Sequence, residues 1–352
     1  MLSFPRVLWY NRWTFGATGP VFQGQEMKRS FSGIQPTGDL HIGNYLGAIR
    51  TWVDMLDKYE CIFSIVDLHA LTIRYDVATM AERTLDAAAV NMACGLDPEK
   101  CILFVQSHVR EHAELCWIFD TVTPMGELGR MTQFKQKSKQ HPENVNVGLF
   151  NYPVLQAADI LLYKAEAVPV GEDQVQHIEF SREVARKFNA TYGPVFPECQ
   201  ALLSNAPRVV GLDGENKMSK SLGNHIAIAD PPDVIRRKLA TAVTDPARVK
   251  RTDPGEPTKC NLYALHGFFS TPEQIAWVEK GCRSAGIGCL ECKNVLADNT
   301  LAALTPIQER YAELRRDVDG VKRVVAEGAE RARSIASGVM SEVRDALGLY
   351  IG

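Results

Sequence analysis

Residues 31–52 read FSGIQPTGDLHIGNYLGAIRTW: a short apolar run, a turn carrying Pro36, Gly38 and His41, and then an amphipathic helix. Leu46, Ile49, Val53 and Leu56 fall on one face of that helix, a spacing that buries it against a sheet. A strand that ends at Ile34 and feeds a helix starting near Gly43 or Asn44 leaves free backbone N–H groups and a helix dipole pointing at one corner, which favours an anion. Gly43 and Gly47 remove side chains where a flat or bulky ligand would lie. His41 can donate a hydrogen bond to phosphate from this corner, and Asn44 can do so one turn on. Taken alone the pattern is weak, since glycine-containing turns before helices are common in proteins that bind nothing.

The strand–helix rhythm continues outward. RSFSGI (29–34), CIFSIVD (61–67), CILFVQ (101–106) and AVPVG (167–171) read as buried parallel strands, and 45–57, 79–94, 111–123 and 151–163 as helices. The expected fold class is α/β, a Rossmann-type doubly wound parallel sheet over residues 28–212. Residues 126–148 are polar and basic without a strong period and read as an insertion or mobile loop. A polar loop follows at 213–225, and from 226 to 352 helical signals dominate, which predicts a mostly helical region.

The chain has 352 residues, 45% hydrophobic and 23% charged, enough for one large or two medium domains with real cores. No apolar run reaches transmembrane length, which argues against a membrane role. The net charge of −3 does not exclude a nucleic-acid partner, because phosphate binding needs only a local basic surface. One such excess lies between Pro231 and Lys259, where Arg236, Arg237, Lys238, Arg248, Lys250 and Arg251 outnumber the acids. Residues 1–27 are acid-poor and read either as an organellar (mitochondrial or plastid) transit peptide or as an unstructured leader before a true start at Met27; the second reading makes the protein cytoplasmic.

A second signal changes the weight of the first. ENKMSKSLGN (215–224) puts Lys217 and Lys220, with Ser219 and Ser221, in one short polar loop. Two ammonium groups there repel each other unless they meet an anion, so a polyphosphate is the natural guest. HIGN at 41–44 followed by KMSKS at 217–221 resembles the two signature sequences of class I aminoacyl-tRNA synthetases. With FSGIQPTGDLHIGNYLGAI, VDLHALT, YPVLQAADILLY and VPVGEDQVQHIE, the chain resembles the tryptophanyl type over about residues 29–350.

The resemblance implies a Rossmann catalytic domain, a helical anticodon-binding region and a homodimer that binds tRNA(Trp) and L-tryptophan and uses ATP with Mg²⁺. It implies that His41, Asn44, Lys217 and Lys220 are catalytic, and that Gln35, Gly43, Gly171, Asp173, Met218 and Ser219 join them in holding ATP. For tryptophan it points to Phe31, Gly33, Gln35, His69, Tyr152, Gln156, Asp159, Val168, Val170 and Gln174. Tyr152, Gln156 and Asp159 are spaced i, i+4 and i+7, one helical face. Asp159 is an acceptor suited to the donor-only indole N–H. Gln156 departs from the methionine of many bacterial members, and a carboxylate with an amide could hold a phenol as well, so a tyrosyl enzyme is the alternative. A catalytically silent binding paralogue and a small-molecule nucleotidyltransferase are the readings from other classes; the intact lysine loop opposes the first and the long helical region the second.

Of nine cysteines, Cys61, Cys94, Cys101 and Cys116 sit in apolar surroundings and read as core. Cys260, Cys282, Cys289 and Cys292 have a C-x-x-C end in a glycine-rich polar neighbourhood, a pattern that suits either zinc or an iron–sulfur cluster. Among these the resemblance to iron–sulfur-containing bacterial tryptophanyl enzymes implies a structural [4Fe–4S] site.

Overall fold

The computed structural model describes residues 27–36, 40–140, 145–203 and 209–350. The readings made of residues 1–26 and of Gly38 lie outside these ranges. Five strands form a parallel sheet in the order β3-β2-β1-β4-β5: β1 Arg29–Ile34, β2 Glu60–Ile65, β3 Cys101–Val105, β4 Ala167–Val170 and β5 Gln200–Leu203. β2 and β3 are apolar runs buried almost end to end, as strands covered on both faces must be. The chain steps outward from β1 to β3 and then returns to the other side of β1, so strand order reverses between β1 and β4. In open α/β sheets the crevice at the carboxyl ends of that pair is where ligands bind. β5 was not legible as a strand, because its end residues Gln200 and Leu203 are exposed at the sheet edge.

The helix opened by the HIGN stretch starts at Ile42, earlier than periodicity indicated, and runs to Met55. It widens to a π-helical turn at Tyr45–Ile49, a distortion frequent at functional sites. Together with Val77–Ala93 and the helices Pro232–Thr241, Asn261–Phe269 and Cys289–Arg316, it closes one face of the sheet around a core that includes Ile49, Trp52, Phe63 and Leu296. Glu111–Asp120, Val147–Leu161 and Val175–Tyr192 close the other face around Phe104, Phe119, Tyr163 and Phe188.

The last helix, Val318–Leu347, serves both layers: Val321 and Val325 pack in the first core, and Ala332, Ala336 and Met340 in the second. It passes over the edge of β3 at Gly328, where a Cβ would lie 1.9 Å from the Leu103 carbonyl oxygen. Arg331 donates to the Cys101 carbonyl at 3.0 Å, so the edge strand is covered rather than left as a template for pairing.

The segment 126–148, expected as a loop, is helical at Met125–Leu128 and Thr132–Gln140. Its Lys and Gln residues are good helix formers, and one aromatic anchors it: Phe134 meets Phe150 edge-on with ring centroids 5.1 Å apart.

Candidate active site

At the carboxyl end of β1, Gly33 is exposed and Gln35 half-buried; Gly171 follows β4 across the crevice. A Cβ on Gly33 would lie 2.7 Å from Val66, so bare backbone forms that wall. His41 caps the helix from Ile42, and Asn44 Oδ1 accepts from the His41 backbone N–H at 3.1 Å. That commits the amide oxygen to capping and leaves Nδ2 as the donor end of the side chain.

The two signature stretches touch. Ile42 N–H donates to the Ile226 carbonyl at 3.0 Å, and Ile228 N–H to the Leu40 carbonyl at 2.9 Å, which ties the HIGN corner to the strand-like exit of the KMSKS loop. Met218 is buried beneath Gly43, where a Cβ would come within 3.3 Å of Met218 and 2.9 Å of His41 Nδ1. Gly43 is therefore a packing requirement as well as an opening for ligand. His41 Nδ1 is buried and makes no hydrogen bond. Burial first, then His225 and Lys217, lowers the His41 pKa to about 4. The ring is neutral at physiological pH, so it acts as a hydrogen-bonding group and not as a fixed cation. Lys217 and Lys220 are exposed on the loop, and the Ser219 and Ser221 hydroxyls pair at 2.7 Å.

Across the crevice the helix Val147–Leu161 starts at Asn146, whose side chain caps Leu149 N–H. Asp159 on this helix is 2% exposed and is gripped from three sides. His69 Nε2 donates to one oxygen at 2.8 Å; Gln106 Nε2 and His112 Nδ1 both donate to the other at 2.7 Å. Because an ionised carboxylate only accepts, His112 carries its proton on Nδ1, and its Nε2 accepts from the Tyr163 hydroxyl at 2.8 Å. Burial pushes the Asp159 carboxyl up, but the hydrogen bonds from His112 and His69 outweigh it and hold the group well below the usual carboxylate range. Two oxygens offer about four acceptor directions, so three internal donors leave about one for an incoming N–H.

His69 thus sits where the strand-end reading put it, whereas Gln106 and His112 were not anticipated. They come from the turn after β3 and the helix beyond, and no local pattern marks them. Tyr152 is buried, its hydroxyl 2.9 Å from His177 Nε2 and donating to Gln133 at 3.2 Å. Gln156 is half-buried on the same helix. Phe31 and Val168 lie in the core below: Phe31 stacks on Tyr163 at 5.5 Å and forms floor more than wall, with Val170 half-buried above Val168. After β4, Gln174 donates to the exposed Asp173 at 3.1 Å, and a Cβ on Gly171 would be 2.8 Å from the Asp173 carboxylate.

Residues 24–305 match the family described as tRNA synthetases class I (W and Y). A tryptophan–tRNA ligase of Deinococcus radiodurans is 54% identical, over 92% of this chain and 99% of its own length, and one of Thermotoga maritima is 45% identical over 91% and 99%. A tryptophanyl-tRNA synthetase of Campylobacter jejuni, solved in complex with ADP and tryptophan, has a TM-score of 0.83 at 36% identity and covers 91% of this chain and all of its own.

The chain belongs to this class I family.

As a class I synthetase it departs from the expectation of a metal cluster. Cys260, Cys282, Cys289 and Cys292 line one small cavity of about 30 Å³, the space of roughly one water. Yet no group of three or more His, Cys, Asp or Glu side chains among the described residues is arranged to hold a metal ion. The iron–sulfur reading, and zinc as its alternative, are both overturned. Two of them have other polar neighbours: Arg248 points at Cys282 Sγ at 3.8 Å, and His266 Nε2 lies 3.2 Å from Cys292 Sγ. Burial first, then the neighbouring cysteines, pushes the Cys292 thiol up to about 12.

Proposed function

We infer that this chain is a tryptophan–tRNA ligase: it activates L-tryptophan with ATP and transfers it to tRNA(Trp). The contact of the HIGN corner with the KMSKS loop at a Rossmann switch point, opposite a buried ionised Asp159, is the observation that carries this reading. The tyrosine alternative gives way to the relatives, which are tryptophan–tRNA ligases over almost their whole length.

The tryptophan carboxylate is ionised at neutral pH and needs no general base. One of its oxygens forms a bond to the α-phosphorus of ATP while the bond to the β-phosphate oxygen breaks and pyrophosphate leaves. A ribose hydroxyl at the tRNA end then attacks the carbonyl carbon and releases AMP. Catalysis of the first step consists of alignment and charge stabilisation. His41 and the Asn44 amide are proposed to donate to phosphate oxygens at the helix start, and Lys217 and Lys220 to meet the charge that grows on the pyrophosphate, beside the magnesium that ATP brings. Gly43, Gly171 and Asp173 would border the nucleotide.

Asp159 would accept the indole N–H with its remaining lone pair, held in place by His69, Gln106 and His112. Gln35, Tyr152 and Gln174 would contact the amino-acid end, and Gly33 and Val170 the ring. A homodimer is proposed; the large apolar side chains Leu71, Trp117, Met125 and Val147, which are 49%, 72%, 76% and 80% exposed, are candidates for its interface. No helix among the described residues is long and apolar enough to cross a membrane. The test is charging of a tRNA(Trp) transcript with labelled tryptophan; ATP-dependent acylation is expected, and its absence with an active tRNA would overturn the ligase reading.

A further inference from the structure

The lysines of the KMSKS loop are exposed, yet the loop itself is firmly built, and one side chain does most of the building. Asn224 is 5% exposed. Its Oδ1 accepts from the Ser219 backbone N–H at 2.8 Å, and its Nδ2 donates to Asp213 Oδ2 at 2.9 Å and to the Lys217 carbonyl at 3.3 Å. Its own carbonyl accepts from Leu212 N–H at 2.8 Å. A single residue beyond the motif therefore holds the backbone on both sides of Met218, between the two lysines. Room for it is made at Gly211, where a Cβ would fall 2.1 Å from Asn224 Nδ2.

The other half of the latch is equally specific. Asp213 opens a tight turn closed by Gly214 at φ +78°; its Oδ1 accepts the Glu215 and Asn216 backbone N–H groups, and its Oδ2 accepts Asn216 Nδ2 as well as Asn224. The base of the hairpin is tied into the helical region, where Asn261 Nδ2 donates to the Gly211 carbonyl at 2.6 Å and Val243 N–H to the Leu212 carbonyl at 2.9 Å. Lys220 then starts a turn that Gly223, at φ +66°, closes by donating to its carbonyl.

We propose that Asn224, latched to Asp213, is a positioning residue for tryptophan activation: it fixes the backbone from which Lys217 and Lys220 reach the ATP phosphates. It touches no substrate and acts through the loop. The inference rests on the activation reading above.

The test is a charge swap. Asn224→Asp sets two carboxylates against each other at the latch and should open it. Asp213→Asn combined with Asn224→Asp restores one amide facing one carboxylate, with the donor reversed and the Asn216 amide turned to match, while the bond to the Lys217 carbonyl stays lost. In amino-acid-dependent ATP–pyrophosphate exchange, N224D should lower kcat roughly 100-fold, the scale of a misplaced catalytic group, with tryptophan affinity measured without ATP unchanged; the double variant should recover part of that loss. Backbone hydrogen exchange in a peptide spanning 214–222 should accelerate in N224D and slow again in the swap. Wild-type exchange kinetics in N224D, equal losses in kcat and tryptophan affinity, or no recovery in the swap would each overturn the proposal. A wild-type protein that exchanges no pyrophosphate would count against the activation reading instead, while the hydrogen-exchange arm would still decide the latch.

Discussion

The two ends of the crevice are built on opposite plans. At the amino-acid end Asp159, His69, His112 and Gln106 are buried, and the carboxylate already accepts three hydrogen bonds from within the protein. At the phosphate end Lys217 and Lys220 lie exposed, and the buried His41 Nδ1 has no hydrogen-bond partner. The network at the first end is complete without substrate, so in the proposed reading it would discriminate by shape and by one remaining acceptor. In the proposed reading ATP would bring its charges to the second, so that interactions there would strengthen as negative charge moves onto pyrophosphate.

The sharpest way to break this contrast is Lys220→Ala. Loss of a group that acts on developing charge should reduce pyrophosphate exchange by roughly 100- to 1,000-fold with tryptophan binding intact; parallel loss of tryptophan binding would erase the distinction between the ends. Next comes Asp159→Ala, which strands three buried donors. It should cost about 3 kcal/mol of stability, read as a lower midpoint in urea, and weaken tryptophan more than ATP. Equal weakening of both ligands would reduce Asp159 to scaffolding.

A smaller effect is expected from pH. The folded His41 pKa is depressed to about 4 from 6.5, so between those values the unfolded chain binds more protons than the folded one. His41 therefore leaves stability untouched above about pH 6.5 and lowers it as pH falls toward 4. His266, lowered to about 4 chiefly by burial, acts in the same direction. Melting curves of the wild type and of His41→Gln should converge in slope near neutrality, with the wild type losing more on acidification; identical slopes throughout would mean that the ring is not buried neutral. Least of all should Gln156→Met matter: a half-buried position beside a completed network should change the tryptophan-to-tyrosine ratio by less than about tenfold.

The same contrast explains what could be read without coordinates. The sheet was legible because buried parallel strands are continuous apolar runs, and the phosphate end because glycines, a histidine and paired lysines make a local signature. β5 was not, being short and exposed at its ends. Gln106 and His112 escaped because their link to Asp159 spans more than 40 residues and leaves no mark on local spacing. Asn224 looked like any polar loop residue. The cysteines misled for the complementary reason: spacing reports which thiols can come near one another, while the packing around them, with Arg248 at Cys282 and His266 at Cys292, decides how they are arranged.

The measurement that bears most directly on the whole account is amino-acid-dependent exchange of pyrophosphate into ATP, with tryptophan and tyrosine compared on the same preparation. Exchange with tryptophan and not with tyrosine is the predicted result. Exchange driven equally by tyrosine, or none with either amino acid from folded protein, would contradict it.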